Sequence, residues 1–148
     1  MNADLGMLDA NILVYAVNLD APQHEIARQL RDDVVVGNIA GCLCLQVLIE
    51  FYAVVTDARR MESPLAPARA CEQIEKYIAA PVRMIHRGPG VAPVLLTLLA
   101  RHRITRQAAH DAALVATMLA NGVTRIFTAN TKHFAVFNEI EVIDPFQA

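Results

Sequence analysis

The chain has 148 residues, of which 55% are hydrophobic and 19% are charged, and its formal net charge is -2. This length supports one well-buried core and is short for two ordinary domains, while the hydrophobic content excludes a disordered chain or a coiled coil. The slightly negative charge excludes binding of nucleic acid through a general basic surface, so any such contact must be local. We expect a single domain over residues 1–148, with residues 1–6 as an N-terminal extension before Met7.

Cysteine content and the N-terminus indicate the cellular compartment. Cys42, Cys44 and Cys71 form no CxxC pair and have no histidine at zinc-finger spacing, so neither a disulfide framework nor a structural zinc site is expected. The first residues lack the positive charge of a secretory signal. The longest uncharged run, residues 34–49, is interrupted by glycines and is shorter than the roughly 20 residues of a membrane span. We expect a cytoplasmic protein without a membrane segment.

Short apolar runs typical of strands alternate with longer segments of helical periodicity. In chain order we predict a strand at 5–8, helices at 11–17 and 23–33, a strand at 40–44, helices at 45–56 and 68–79, a strand at 82–85, helices at 91–101 and 107–121, and strands at 125–128 and 141–143. The helix at 45–56 is apolar on nearly every side, which predicts burial by its neighbours. The alternation predicts an α/β fold with a parallel sheet covered by helices on both faces.

Three apolar segments each contain one acidic residue. Asp9, Glu50 and Asp111 are the sole charged residues of residues 5–19, 34–56 and 107–124, respectively, so no Lys or Arg accompanies them. An isolated buried carboxylate costs several kcal/mol or becomes neutral, so each acid needs a partner. Asp9 follows the first strand, where ligand crevices of parallel sheets form. If the three acids converge there, a divalent cation must offset their repulsion, and carboxylate oxygens suit Mg²⁺ or Mn²⁺.

Each acid also has a purely structural interpretation. Asp9 and Asn11 are both good helix N-caps. Asp111 lies where a helix dipole favours an acid in the first turn, although it shares the core-facing stripe of its helix. Glu50 lies in the middle of a predicted buried helix, where a distant arginine is a possible partner. All three alternatives would have to hold together for the metal site to be absent.

The segments LDANILVYA, LQVLIEFYAVVT, AHDAALVATMLANG and IFTANTKHF follow one another in an order and spacing that resemble the PIN-domain ribonucleases, in particular the VapC toxins of type II toxin-antitoxin pairs. The resemblance extends from about Met7 to Asp144. It implies a three-layer α/β/α sandwich around a central parallel sheet of four to five strands. It further implies a cluster of acids that holds Mg²⁺ or Mn²⁺, metal-dependent hydrolysis of RNA phosphodiester bonds, and a cognate antitoxin protein as partner.

The resemblance assigns roles by position. Asp9, Glu50 and Asp111 become metal ligands, Asn11 shapes the site through its amide, and Thr128 orients a ligand or a water. Asn130 stands where the family often has an acid, and its amide oxygen can still coordinate an ion or bind a water, so it remains a catalytic candidate.

Five arginines are candidates for contacts with RNA phosphates. They are Arg59, Arg60, Arg101, Arg103 and Arg106. For residues 101–106 an equally good interpretation is a solvated helix end whose cations favour the C-terminal dipole. The apolar helices at 45–55 and 91–99 exceed what one small sheet covers, which predicts an exposed patch for a homodimer or for antitoxin docking.

Other enzyme classes fit less well. A phosphotransferase of the haloacid-dehalogenase type needs a second Asp where Asn11 stands, and a dinucleotide-binding domain needs GxGxxG where the chain reads DANILV. Cys42 and Cys44 lie in an apolar strand, where thiols serve packing more than catalysis. The more serious alternative is a non-catalytic PIN-like module that binds RNA or a protein, because Asn130 removes one acid.

Overall fold

The computed structural model describes residues 4–147. Within them, the strands are β1 (Gly6–Leu8), β2 (Gly41–Leu43), β3 (Arg83–Met84), β4 (Arg125–Phe127) and β5 (Glu141–Ile143). The helices are α1 (Ala10–Val17), α2 (His24–Val35), α3 (Leu45–Val55), α4 (Pro67–Ala79), α5 (Val91–Arg101), α6 (Ala108–Ala120) and α7 (Thr131–Phe134).

The five strands form one parallel sheet in the order β3-β2-β1-β4-β5. The central strand β1 is buried on both faces, since Met7 and Leu8 are both almost fully inaccessible. The chain order reverses between β1 and β4, because β2 and β3 lie on one side of β1 and β4 and β5 on the other. In open parallel sheets a crevice forms beyond the carboxyl ends of the strands at such a reversal.

Helices flank the sheet and bury their apolar faces against it. α1 packs against α2 and α3, α5 packs against α6, and the short α7 contacts α6 and β5. The largest fully buried side chains include Phe51 from α3, Phe134 from α7 and Phe137 from the loop before β5. The predicted α/β/α sandwich with a parallel sheet is therefore confirmed.

Helix α3 differs from the prediction that its neighbours bury it on all sides. Val47 and Phe51 are fully buried, whereas Leu45 is 65% exposed and Ile49 is 58% exposed. The reason is that α3 packs chiefly against α1 and touches α4, so the face that carries Leu45 and Ile49 stays accessible within the described residues. The prediction of an exposed apolar patch on this helix is correct.

The ends of the chain bear on the expected N-terminal extension of residues 1–6. Residues 1–3 lie outside the described part of the chain, and Gly6 belongs to β1, where it pairs with Gly41 and Arg125. No helix within residues 4–147 combines the length and hydrophobicity needed to cross a membrane.

Candidate active site

A cavity of about 530 Å³ lies beyond the carboxyl end of β1, and the predicted acids meet in it. Asp9 enters from the residue after β1, Glu50 from the middle of α3 and Asp111 from the first turn of α6. Asn11 and Asn130 also line this cavity. Residues that are up to 121 positions apart in the sequence are thereby brought to the crevice that the strand order creates. We call this space the acidic cavity.

Asp9 is held by hydrogen bonds to both of its carboxylate oxygens. Oδ1 accepts from the backbone N–H of Ala10 at 2.8 Å, and Oδ2 accepts from Thr128 Oγ1 at 2.8 Å and from Asn11 Nδ2 at 3.0 Å. Asp9 is therefore the N-cap of α1, as the structural interpretation predicted, and it also faces the cavity. Burial raises the pKa of Asp9, and the three hydrogen bonds and the nearby His133 oppose this rise.

Thr128 connects the two halves of this network. Its hydroxyl donates to Asp9 and accepts from the backbone N–H of Asn130 at 3.0 Å and from Asn11 Nδ2 at 3.1 Å. Asn11 Oδ1 in turn accepts from the N–H of Ala129 at 2.9 Å. The loop after β4 is thus fixed against the start of α1, and the Asp9 carboxylate has one orientation.

The pKa values of Asp111 and Glu50 are raised where the three carboxylates come together. Burial raises the pKa of Asp111, His133 counteracts the rise, and the Asp9 charge adds to it. Burial likewise raises the pKa of Glu50, and Asp9 and Asp111 add to the rise. Two of the three carboxylates are thus destabilised by a neighbouring negative charge, which is the condition that a bound cation relieves.

Glu50 departs from its predicted burial in the middle of an apolar helix. Its side chain lies at the exposed rim of the cavity, and its hydrogen-bond partner is Gln46 Nε2 at 3.5 Å. No lysine or arginine within residues 4–147 forms an ion pair with Glu50 or with Asp111. The distant arginine considered for Glu50 is therefore absent from the described residues.

The residues that line the acidic cavity determine which metal ion it can hold. No group of three His, Cys, Asp or Glu side chains within the described residues lies close enough to hold an ion directly. The donor chemistry nevertheless fits a hard cation, because carboxylate oxygens and the amide of Asn130 line one cavity. Mg²⁺ is commonly bound through one or two carboxylates and keeps several waters, so Asp9 and Asp111 with a hydration shell are a sufficient ligand set.

The predicted phosphate-binding arginines separate into two groups. Arg60 lines the acidic cavity. Arg59 is 90% exposed and forms a salt bridge with Asp57 at 3.1 Å, outside the lining of the cavity. Of the pair after α3, Arg60 is therefore the residue placed to meet a phosphate there.

The arginines between α5 and α6 lie elsewhere. Arg101 occupies the last turn of α5 and forms a salt bridge with Glu139 at 2.6 Å, as the interpretation of a solvated helix end predicts. Arg103 and Arg106 are exposed and adopt positive φ angles of 52° and 58° in the connecting loop. None of the three lines the acidic cavity.

His133 also lines the acidic cavity. Its Nδ1 lies 3.8 Å from Asp111 Oδ2, and it projects from α7, a four-residue helix that was not predicted. A four-residue helix has no detectable periodicity in the sequence. The one feature that could have pointed to His133 was its place in the chain close to Asn130. The thiols play no part: burial raises the pKa of Cys42 to about 12, which leaves it protonated.

Comparison with known proteins decides the family. The profile of the PIN domain matches residues 6–140. The chain belongs to the PIN domain family. Ribonuclease VapC48 of Mycobacterium tuberculosis is 30% identical over 139 residues, which cover 93% of this chain and 95% of that protein. Ribonuclease VapC24 of the same organism is 29% identical over 138 residues, with 93% and 94% covered.

Solved structures share the fold at lower identity. FitAcB of Neisseria gonorrhoeae has a TM-score of 0.68 and 17% identity, with 97% of this chain and 100% of that chain covered. The DNA-bound VapBC of Salmonella typhimurium has a TM-score of 0.65 and 19% identity, with 95% and 98% covered. VapC20 of Mycobacterium tuberculosis, described as a toxin that cleaves the sarcin-ricin loop, has a TM-score of 0.64 and 16% identity, with 88% and 94% covered.

Proposed function

We propose that this PIN domain is a metal-dependent endoribonuclease and the toxin of a VapBC-type toxin-antitoxin pair. The observation that carries the proposal is the convergence of Asp9, Glu50 and Asp111 in one cavity at the reversal of strand order. Relatives of nearly equal length that are named VapC ribonucleases support it. Asp9 and Asp111 would hold Mg²⁺ or Mn²⁺ there, and the ion would supply Lewis acidity for a water and for the charge on the phosphoryl group.

The residues of the chain have separate tasks in this hydrolysis. Asp9, fixed by Thr128 and Asn11, presents a carboxylate of defined orientation, and Asp111 faces the same space from α6. Arg60 lies on the wall as a cation for the phosphate of the RNA. No covalent nucleophile is needed, because water attacks the phosphorus and the ribose oxygen leaves.

A non-catalytic PIN-like module is the alternative that Asn130 raised. The ribonuclease names of the relatives favour the enzyme. The position of Asn130 is compatible with a role in the enzyme, because it lines the acidic cavity and its backbone N–H donates to Thr128. An amide at this position lowers the negative charge of the site without removing an oxygen donor.

The test combines metal-dependent thermal unfolding with RNA cleavage. Mn²⁺ is expected to raise the melting temperature of the parent relative to EDTA, and to leave Asp9→Asn and Asp111→Asn unchanged. Asp20→Asn, which removes an exposed acid from the loop after α1, is the matched control and keeps the parent response. The parent and this control cleave RNA with Mn²⁺ and stop with EDTA. Metal binding without RNA cleavage would favour the non-catalytic binding module. A melting temperature of the parent that does not respond to metal would mean that the three acids do not form a metal site.

The partners follow from the same proposal. We expect an RNA substrate, a cognate antitoxin, a homodimer and a cytoplasmic location. Structures of toxin-antitoxin complexes with the same fold support the antitoxin, and the 67% exposure of Leu96 on α5 supports a protein interface. Light scattering of the chain alone tests the homodimer. Light scattering after co-expression with the small protein encoded upstream tests the antitoxin complex. A monomer mass at every concentration and no stable complex would contradict them.

A further inference from the structure

A second cavity of about 530 Å³ adjoins the acidic cavity. It lies between the first turns of α3, the segment after β3 and α6, and it has Glu50 as a wall residue in common with the acidic cavity. Nothing in the proposed hydrolysis uses this space. We call it the side cavity.

Gln46 organises the polar wall of the side cavity. Its Nε2 donates to the backbone carbonyl of His110 at 3.0 Å, and its Oε1 accepts from the guanidinium of Arg87. The amide therefore joins α3 to α6 and holds Arg87 at the mouth. Arg87 forms no salt bridge with a carboxylate anywhere in residues 4–147, so its charge remains available to an anion or to an aromatic face.

Part of the lining is apolar and exposed. Leu45 and Ile49, at i and i+4 on α3, both line the cavity and are 65% and 58% exposed. A nucleotide has a base with an apolar face and a polar edge, and it has an anionic phosphate. The apolar lining, the amide of Gln46 and the guanidinium of Arg87, which forms no salt bridge, match these features. The volume lies in the range of about 300 to 1,000 Å³ that is usual for small-ligand pockets.

We propose that the side cavity binds one nucleobase of single-stranded RNA, adjacent to the phosphodiester that the acidic cavity cleaves. The inference rests on the proposed ribonuclease activity. Glu50 separates the two spaces, so a strand whose phosphate lies at the acids has its neighbouring base at Leu45 and Ile49. Arg87 contacts the base or its phosphate at the mouth. The side cavity is therefore where the enzyme discriminates among RNA sequences.

Binding is tested with a short fluorescent single-stranded oligoribonucleotide of random sequence. Measurements use the Asp111→Asn background, where cleavage is not expected and one repelling charge is absent. Arg87→Ala and Leu45→Ser are each expected to weaken binding about tenfold, which is the loss of one contact of about 1.4 kcal/mol. The controls are Arg69→Ala and Ile78→Ser, which remove an exposed arginine and an exposed isoleucine from α4. Both controls are expected to bind like their background.

Cleavage gives a readout that a structural defect does not reproduce. In the Asp111-containing protein with Mn²⁺, sequencing of products from a random RNA is expected to show a base preference next to the cut. Arg87→Ala and Leu45→Ser weaken that preference and raise KM more than they lower kcat, because they remove binding that is equal in the ground state and the transition state.

The outcomes separate this inference from the function on which it rests. If the parent cleaves RNA and both variants retain its affinity and base preference, the side cavity is not a base site. If the parent neither binds nor cleaves RNA, both proposals are wrong. If Leu45→Ser converts a dimer into a monomer in light scattering while Arg87→Ala changes nothing, the surface is an interface between copies, which also overturns the inference.

Discussion

Asp9 caps a helix and faces the acidic cavity with the same carboxylate. Oδ1 satisfies the first N–H of α1, while Oδ2 receives two donors from Thr128 and Asn11. Hydrogen bonds to the charged form of Asp9 oppose the rise in its pKa that burial causes. The structural interpretation of Asp9 as an N-cap is therefore correct, and it is compatible with the proposed role as a metal ligand because the same carboxylate faces the cavity.

Thr128→Val tests this network with an almost isosteric change. Thr128 is fully buried, and valine removes one donor to Asp9 and one acceptor for Asn11 and for the N–H of Asn130. Leaving these groups unpaired is expected to lower the free energy of unfolding by about 1–3 kcal/mol in urea denaturation. The increase of the melting temperature with Mn²⁺ is expected to shrink as well, because Asp9 loses its fixed orientation.

The matched control is Thr117→Val in α6. Thr117 is 1% exposed, and its hydroxyl donates only to the carbonyl of Ala113 one turn earlier, so valine leaves no new unpaired donor. This variant is expected to be nearly as stable as the parent and to keep the full response to Mn²⁺. Equal losses for the two variants would show that Thr128 acts through packing alone.

Asp111→Asn tests the repulsion within the acidic cavity in the absence of metal. Because the pKa of Asp111 is raised above its ordinary value of 3.8, the folded state holds the proton more tightly than the unfolded state. The stability due to this group is present below that value and is lost as the pH rises toward neutral. With EDTA, the variant is therefore expected to have a higher melting temperature than the parent at pH 7.

Two comparisons complete this experiment. The advantage of Asp111→Asn is expected to shrink as the pH is lowered, because protonation of the parent carboxyl removes its charge. Saturating Mn²⁺ is expected to reverse the order at pH 7, because the parent alone gains binding energy. A variant that is less stable than the parent at pH 7 in EDTA would mean that the attraction between Asp111 and His133 outweighs burial and the Asp9 charge.

At the scale of elements, the regular segments were predictable because each bears its own periodic pattern. The helix at 91–101 and the strand at 141–143 have their predicted bounds, and the other predicted elements differ by one or two residues at one or both ends. The short helix α7 was missed because four residues complete little more than one turn. An exposed apolar patch on α3 was predicted, but the side chains that form it were not, because composition reports how apolar a helix is and not which of its faces the neighbouring elements cover.

The candidate site likewise combines residues that a local pattern predicts with contacts that no local pattern predicts. Asp9, Glu50 and Asp111 were predictable because a lone charge in an apolar segment is a local anomaly. The network of Thr128 and Asn11 joins residues 117 positions apart, and the lining of the side cavity joins Gln46 to Arg87 across 41 positions. Such contacts depend on strand order and register, which no local pattern contains.

Gly41 sets how closely α2 packs on the sheet. A Cβ built on Gly41 in β2 would lie 2.5 Å from Cγ1 of Val34, a buried residue of α2. Gly41→Ala must therefore displace the Val34 side chain or the helix that carries it, and we expect a loss of about 1–3 kcal/mol in the free energy of unfolding by urea. Gly88→Ala, where no atom lies within 4 Å, is the control and is expected to be neutral. Equal stability of the two variants would mean that the contact between the new Cβ and Val34 is relieved at no cost in the free energy of unfolding.

At the scale of the whole molecule, the strand order creates the acidic cavity. Asp9 follows β1 and Thr128 follows β4, and these neighbouring strands meet at the reversal of chain order. α3 and α6 bring Glu50 and Asp111 to the same crevice. The acidic cavity consequently draws on residues from both ends of the chain, so the site forms only when the complete sheet has assembled.

The proposed antitoxin gives the last prediction. Because the acidic cavity concentrates three carboxylates, we expect the antitoxin to place a basic side chain near them. Metal and antitoxin then compete for the same charge, and by linkage each must weaken the binding of the other by the same factor. Calorimetric titration of the toxin with antitoxin is expected to give a higher Kd in saturating Mn²⁺ than in EDTA. Asp111→Asn reduces this difference, whereas Asp20→Asn preserves it. A Kd that is independent of Mn²⁺ in a toxin whose melting temperature responds to the ion would show that the antitoxin docks away from the acids.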